Sequence, residues 1–281
     1  MFSLAVASVL VALTAIAPVA GADQSRIDVA SFDRGRRDLA RVALTFDGGS
    51  DAGESERILD VLRDRRVQAT FFLTGEFIRR NPGLTRRIAT DGHEVGNHTS
   101  THPHLTSWDL TRSHETLGGV DQSFIERELG DAARAFAAVA GAPMLPLWRA
   151  PYGEVNRQLL DWAARAGWSH VGWTRDDAGG RRTLDSLDWV AERSSRNYLT
   201  SAQIAARIRS FGAGEGGLNG GIVLMHLCTR REDPQVTRLG DLIDALRGDG
   251  YRLVTVTELQ RDLAPAPGPS TLTVALSPAG E

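Results

Sequence analysis

Three of the chain's seven histidines fall within seven residues, in "GHEVGNHTSTHPHL" (Gly92 to Leu105). His98 and His102 are four apart, and His104 follows. Imidazoles so spaced can reach one divalent ion from a tight loop or helix turn. The segment begins like a strand and is broken by Pro103, which favours a loop at a strand end. An isolated His-x-x-x-His is more often a surface or hydrogen-bonded pair; the clustering at a strand end favours a metal. Hydrolysis at such a centre needs a further ligand, an open position for water, a base and an acid. Asp47 closes the apolar run of "RVALTFDGGSDAGE" (Arg41 to Glu54) and is a candidate ligand or base. His226, in "VLMHL", is a candidate general acid, against the plain alternative of a buried histidine on a backbone carbonyl. In "LWRAPYGE", Arg149 can hold a carboxylate bidentately, and the Pro-Tyr-Gly turn can aim backbone N–H groups at an oxyanion. The alternative there is an ordinary turn with a surface arginine.

These residues need rigid elements beneath them. Apolar, β-branched runs predict strands at Val42–Phe46, Ala69–Thr74, Glu94–Asn97, Leu147–Arg149, Ser169–Trp173, Ile222–Met225 and Leu253–Val256. Helical patterns lie between them: Glu54–Arg65, Leu84–Thr90, a run opened by a capping box at Ser123–Glu126 and ending at Gly141, Arg157–Ala166, Gln203–Phe211 and Val236–Asp249. Such alternation predicts a parallel α/β fold, with about seven strands and short connections favouring a barrel. Functional residues then belong just past the strands' carboxyl ends, where Asp47, His98, Arg149, Asp176 and His226 fall.

Composition narrows the function. The net charge of −3 carries no electrostatic footprint for nucleic acid, and all 32 basic residues are arginine, which excludes lysine chemistry. The single cysteine, Cys228, cannot form an intramolecular disulfide; beside a strand end it reads as a small packing residue rather than a nucleophile. Residues 1–22 are apolar, uncharged and end in Ala20-Gly21-Ala22, the pattern of a cleaved signal peptide, although the start lacks a basic residue. A retained membrane anchor is the alternative. The expected organisation is a signal peptide or anchor (1–22), an N-terminal surface segment (23–40), a catalytic domain (41–263) and a disordered Pro-rich tail (264–281).

With these segments assembled, the chain resembles the NodB-like polysaccharide deacetylases, carbohydrate esterase family 4, over Arg41 to Leu263. The motifs that carry the resemblance stand in order: "TFDGG" (Thr45–Gly49), "HTSTH" (His98–His102), "RAPYG" (Arg149–Gly153), "DSLDW" (Asp185–Trp189) and "LMH" (Leu224–His226). The resemblance implies a distorted (β/α) barrel and a divalent metal, zinc first and cobalt or a similar ion second. It implies removal of acetyl groups from an N-acetylated polysaccharide such as peptidoglycan or a chitin-like glycan, outside the cell or in its envelope. An O-acetyl esterase acting on xylan is the alternative enzyme. His98 and His102 would hold the metal and Asp47 would be the base. His226 would be the acid, Arg149 would restrain Asp47, and Asp185 would poise the acid. The Tyr152 N–H would stabilise the oxyanion, and Trp189, Leu224 and Pro151 would line the acetyl pocket. The implied partner is the polysaccharide alone, without nucleic acid or a stable protein partner, and any membrane association would run through residues 1–22.

The chain departs from the family at one decisive position. The family's first motif reads Thr-Phe-Asp-Asp-Gly, and its second aspartate is the third metal ligand; here that position is Gly48. Three readings follow. Water or Asp47 itself completes the shell; a nearby carboxylate, Asp51 or Glu54, swings in; or metal binding is weak and the chain is a glycan-binding module or inactive relative. Glu54 is more simply an acid at a helix N-terminus. Two segments, "RSHETLGG" (Arg112–Gly119) and "RDDAGGRR" (Arg175–Arg182), read as lengthened rim loops. The second makes Asp176 a rival to Asp185 for tuning the acid.

Overall fold

The computed structural model describes residues 30–176, 182–212 and 217–263. The expected signal segment, the tail and the centre of the Arg175–Arg182 loop lie outside the described residues.

Seven strands alternate with helices: β1 (Arg41–Gly48), α1 (Ser55–Asp64), β2 (Thr70–Leu73), α2 (Gly75–Arg80), α3 (Pro82–Thr90), β3 (Glu94–Asn97), α4 (Trp108–Thr111), α5 (Gln122–Ala140), β4 (Leu147–Trp148), α6 (Arg157–Arg165), β5 (Ser169–His170), α7 (Ser201–Arg209), β6 (Gly221–His226), α8 (Val236–Gly248), β7 (Arg252–Val254) and α9 (Val256–Arg261). Every strand pair is parallel, in the order β5-β4-β3-β2-β1-β6, with β7 on the N-terminal half of β1. The sheet curls, and the open side between β5 and β6 is closed by chain rather than by a strand. Phe32 bridges Val171, Arg34 bridges Gly221, and Asp185 bridges Leu224. The described part of the N-terminal segment is therefore a strap across the seam. This is a distorted (β/α) barrel, the barrel that the strand count favoured and the distorted form that the family resemblance implied.

Side chains alternate across a strand, so each strand feeds two layers. On β1, Val42, Leu44 and Phe46 join the large apolar layer beneath the helices, while Ala43 packs inside the barrel with Phe72, Leu147, Val171 and Ile222. The same alternation on β6 sends Val223 and Met225, and Leu227 just past it, outward and Ile222 inward. It also fixes the functional residues: Asp47 follows the inward set, and Gly48 the outward one.

Local signals explain the helix starts. The Thr200 hydroxyl and Gln203 form a capping box on α7, and Thr255 with Glu258 does the same on α9. The predicted Ser123–Glu126 box is not formed. Asp121 caps α5 instead, its carboxylate accepting from the Phe124 N–H at 2.7 Å. Val256, expected at the end of the last strand, starts α9. The short α2 went unpredicted because six residues carry too little periodicity, although Thr74 caps it at the Phe77 N–H.

Candidate active site

A cavity of about 480 Å³ opens at the carboxyl end of the strands. Asp47, His98, His102, Asp185, Trp189, Leu224 and His226 all line it. Asp47 and His226 are direct partners in the β1–β6 register, so adjacent parallel strands deliver them side by side.

Asp47 is 5% exposed, and Arg149 lies fully buried inside the barrel beneath it. The guanidinium donates to Asp47 Oδ1 at 2.7 Å, to Thr45 Oγ1 at 2.9 Å, and to the Val171 and Gly172 carbonyls at 3.1 and 2.9 Å. It also lies 4.2 Å from the Phe72 ring centroid. Arg149 is thus a structural plug as well as a counter-charge. Burial alone would raise the Asp47 carboxyl; the Arg149 guanidinium, then His98 and His226, hold it below the usual carboxylate range.

His98 Nδ1 donates to the Arg149 carbonyl at 2.9 Å, which leaves Nε2 as the lone-pair nitrogen. Nε2 lies 3.6 Å from Asp47 Oδ2, the oxygen Arg149 does not take. The His102 ring packs edge-on against His98 at 4.8 Å, with its backbone at φ 58°. Burial pushes His98 down, and burial with the neighbouring His98 takes His102 to about 3, so both are neutral and able to ligate near pH 7.

Whether these residues suit a divalent cation turns on the donor set. Two neutral imidazoles and one free carboxylate oxygen are suitable donors, and a 3.6 Å N···O gap is close to the ~3.4 Å edge of a tetrahedral site with ~2.1 Å bonds. Among the described residues, however, no group of three or more His, Cys, Asp or Glu side chains forms a ready-made cage. The donors fit a cation, held by a thin shell.

The expected third-ligand position cannot thicken it. A Cβ on Gly48 would meet Leu73 Cδ2 at 2.8 Å, Leu227 Cδ1 at 3.1 Å and Phe77 Cδ2 at 3.4 Å. Position 48 faces the apolar layer under the helices, and those side chains fill it. Asp51 does not substitute. Its carboxylate pairs with Arg230 at 2.6 Å, lies 3.9 Å from Arg80, and does not line the cavity. The expectation of Asp51 as a ligand is corrected on that geometry: two cations hold it at the surface. Glu54 pairs with Arg57 at 2.6 Å, as an acid at the start of α1.

The opposite wall carries the second correction. Asp188, not Asp185, touches His226. Its Oδ1 accepts from Nδ1 at 2.7 Å and its Oδ2 from the His226 backbone N–H at 2.9 Å. Burial would lower the imidazole, but Asp188, with help from Asp47 and Asp185, raises it to about 9. Asp185 instead accepts from the Leu187 N–H at 2.9 Å and the Trp189 indole N–H at 3.3 Å, and so sets the indole on the cavity wall. Leu187 at φ 61° reverses the chain between the two aspartates. "DSLDW" offered both carboxylates, and nothing in it revealed that turn. Asp176, the other rival, bonds back to the Arg182 N–H at 3.1 Å within its own loop.

Tyr152 sits in a single 3₁₀ turn, Pro151–Gly153, with φ 57°. Such a backbone costs about 1–3 kcal/mol and persists only where its surroundings impose it. They do: the Tyr152 ring stacks on His104 at 4.0 Å and 7°, and meets His102 edge-on at 4.6 Å. Gly153 is required, because a Cβ there would lie 2.5 Å from the Trp173 ring. Pro151 is buried behind this turn, while Ala150, Tyr152 and Gly153 form the wall. Glu154 was missed in the sequence. Fully enclosed, it accepts from His104 Nδ1 at 2.7 Å and from the Leu105 and Thr106 N–H groups at 2.8 and 2.9 Å. A glutamate after a turn reads as surface, and its partners are some fifty residues away. Cys228 packs against Gly53, where a Cβ would fall 2.5 Å from the Cys228 Cα.

Comparison with known proteins places this geometry. The polysaccharide deacetylase family model matches residues 34–171. A peptidoglycan-N-acetylglucosamine deacetylase of Bacillus cereus is 30% identical over 222 residues, covering 78% of this chain and 88% of the relative. The chain belongs to the polysaccharide deacetylase family. A chitooligosaccharide deacetylase of a Bradyrhizobium strain is 32% identical over 229 residues, covering 78% and 90%. The solved structure of a peptidoglycan N-acetylglucosamine deacetylase with a bound N-oxidanyl-benzamide superposes with a TM-score of 0.65 at 28% identity, covering 82% of this chain and 92% of that one. Family and fold are therefore as the five motifs implied, and the family is one of hydrolases. His226 and Asp188 lie beyond residues 34–171, which the family model matches, so their pairing rests on the geometry above.

Proposed function

We propose that the protein hydrolyses N-acetyl groups from a cell-wall or chitin-like polysaccharide, releasing acetate and a free amine. In this reading His98 and His102 hold a divalent cation, zinc first, with Asp47 Oδ2 beside them. A cation there would supply Lewis-acid polarisation of the acetyl carbonyl and lower the pKa of the attacking water. Asp47, kept ionised by Arg149, takes the proton of that water as its oxygen bonds to the acetyl carbon. The Tyr152 N–H steadies the developing oxyanion. His226 Nε2 then passes its proton to the departing nitrogen as the C–N bond breaks, because an unprotonated amine leaves poorly. Trp189 and Leu224 enclose the methyl group. Action outside the cell or in its envelope follows from such a substrate; among the described residues no helix is long and apolar enough to cross a membrane.

The observation that carries the reading is the pairing, in one cavity, of an ionised Asp47 with a His226 raised to about 9. A base and an acid whose pKa values are driven apart suit hydrolysis and serve no purpose in a passive glycan binder. One observation favours the binder instead: the filled space at Gly48. Acetate and free amine released from N-acetylglucosamine oligomers, with none from acetylated xylan, would support the reading. Turnover of xylan alone would make the protein an O-acetyl esterase, and turnover of neither with any divalent metal would leave the binder.

A further inference from the structure

Five large hydrophobic side chains are exposed among the described residues, and three of them, Trp108, Tyr152 and Trp189, are aromatics lining this cavity. Tyr152 and Trp189 are accounted for by their contacts with His102 and Asp185. Trp108 is not. Its ring contacts are with His114 and Arg112, and it is 39% exposed at the start of α4, within the rim loop between Leu105 and Leu117.

That loop is built rather than loose. Thr106 pairs with Thr116, the Ser107 N–H donates to the Glu115 carbonyl at 2.9 Å, and the Leu117 N–H to the Leu105 carbonyl at 3.1 Å. Asn156 Nδ2 donates to the His114 carbonyl at 2.7 Å from across the rim. The His114 ring lies flat on the indole, 4.6 Å away and within 12° of parallel. One face of Trp108 is thereby backed by an imidazole. Arg112, at φ 58°, brings its guanidinium to 6.0 Å from the indole centroid, and Asp109 and Arg112 line the cavity beside it. The root of the loop is held by Glu154, the same buried carboxylate that holds His104 under Tyr152.

We infer that the Trp108–His114 stack is a second sugar-binding platform, taking a pyranose ring of the glycan beyond the one that presents its acetyl group at Asp47 and His226. A pyranose offers a face of C–H groups that covers an indole well, and a ring of hydroxyls that suits a flanking carboxylate and guanidinium. A backed, preorganised indole loses little freedom when a sugar lands on it. Glu154 fixes this platform and the Tyr152 wall to one another, so chain length is read at a set distance from the reacting centre. This deepens the proposed function and rests on it.

The test is binding of N-acetylglucosamine dimer and tetramer to the chelator-treated protein by calorimetry, alongside KM and kcat on both with metal restored. In Trp108→Ala the tetramer Kd and KM should rise about tenfold, with dimer Kd and tetramer kcat changed less than about twofold; His114→Ala should show the same pattern at about threefold. Equal changes for dimer and tetramer, or none in either variant while the wild type binds tetramer, would overturn the platform and leave the deacetylase reading intact. Failure of the wild-type protein to bind either oligomer would overturn the platform, and failure to turn either over with metal restored would overturn the deacetylase reading as well. Circular dichroism on each variant separates a lost platform from a lost fold, and His114→Ala carries the test if Trp108→Ala does not fold.

Discussion

The two walls of the cavity are built to different degrees of completeness. The His226 wall is finished by the chain itself. Asp188 bonds both the ring and the backbone of His226, is itself buried, and is the main group that raises the imidazole, with Asp47 and Asp185 adding to it. The histidine wall is finished on one side only. Arg149 anchors Asp47 and orients His98 through its carbonyl, yet the third-ligand position is turned into Leu73, Leu227 and Phe77. In the proposed reading, proton transfer is preorganised by protein groups, and a cation would be left to two imidazoles and a carboxylate already shared with an arginine. The difference teaches that loss of a ligand need not leave a gap. The space at Gly48 is taken up by the ends of the Leu73, Leu227 and Phe77 side chains, so restoring a carboxylate there requires them to shift.

The largest effect that can break this contrast is removal of the proposed base. Asp47→Asn should reduce acetate release by about 10³-fold or more, since it removes the proton acceptor and a cation contact together. A residual activity within tenfold of wild type would place the base elsewhere.

Next comes the acid wall. In the proposed mechanism His226 works as a protonated acid, so kcat/KM should fall as pH rises through about 9. Asp188→Asn removes the charge that holds that pKa up, so the alkaline limb should move down toward ~6.5, with a loss of about 10²-fold at pH 8.5. Stability follows the same linkage. The folded pKa lies above the unfolded value, so the stabilisation from Asp188 is full below about 6.5 and is lost as pH rises through about 9. Asp185→Asn should shift the limb far less and act mainly through Trp189; a larger shift than Asp188→Asn would reverse the two roles.

A sharper probe of the other wall is Gly48→Asp. A carboxylate pressed against Leu73 and Leu227 without a partner should lower unfolding free energy by about 1–3 kcal/mol in chemical denaturation, without a tenfold gain in zinc affinity. A gain in both would show that the wall can open. The smallest effect belongs to Asp51→Ala, which should change zinc affinity less than about twofold, since it breaks only surface pairs with Arg230 and Arg80. A tenfold loss by calorimetry would bring Asp51 into the shell after all.

Much of the frame was legible because it follows from periodicity. Seven apolar runs became seven parallel strands, and Asp47, His98, Arg149 and His226 all proved to stand at strand ends. What stayed hidden depends on backbone handedness and remote partners. Leu187 and Tyr152 adopt left-handed backbone that their side chains do not advertise, and the first of these decides between Asp185 and Asp188. Glu154 looks like a surface acid until Leu105 and Thr106 turn their N–H groups toward it. Gly48 reads as a missing ligand; only Leu73 of β2, Phe77 of α2 and Leu227 just past β6 show that the position is also crowded.

The most direct test is acetate release from N-acetylglucosamine tetramer by the zinc-loaded wild-type protein, with Asp47→Asn measured beside it and free amine counted in the same reaction. The account predicts acetate and amine in equal amounts from the wild type, and about 10³-fold less from the variant. Equal rates from both proteins, or no acetate from a folded, tetramer-binding wild type with any divalent metal, would contradict it.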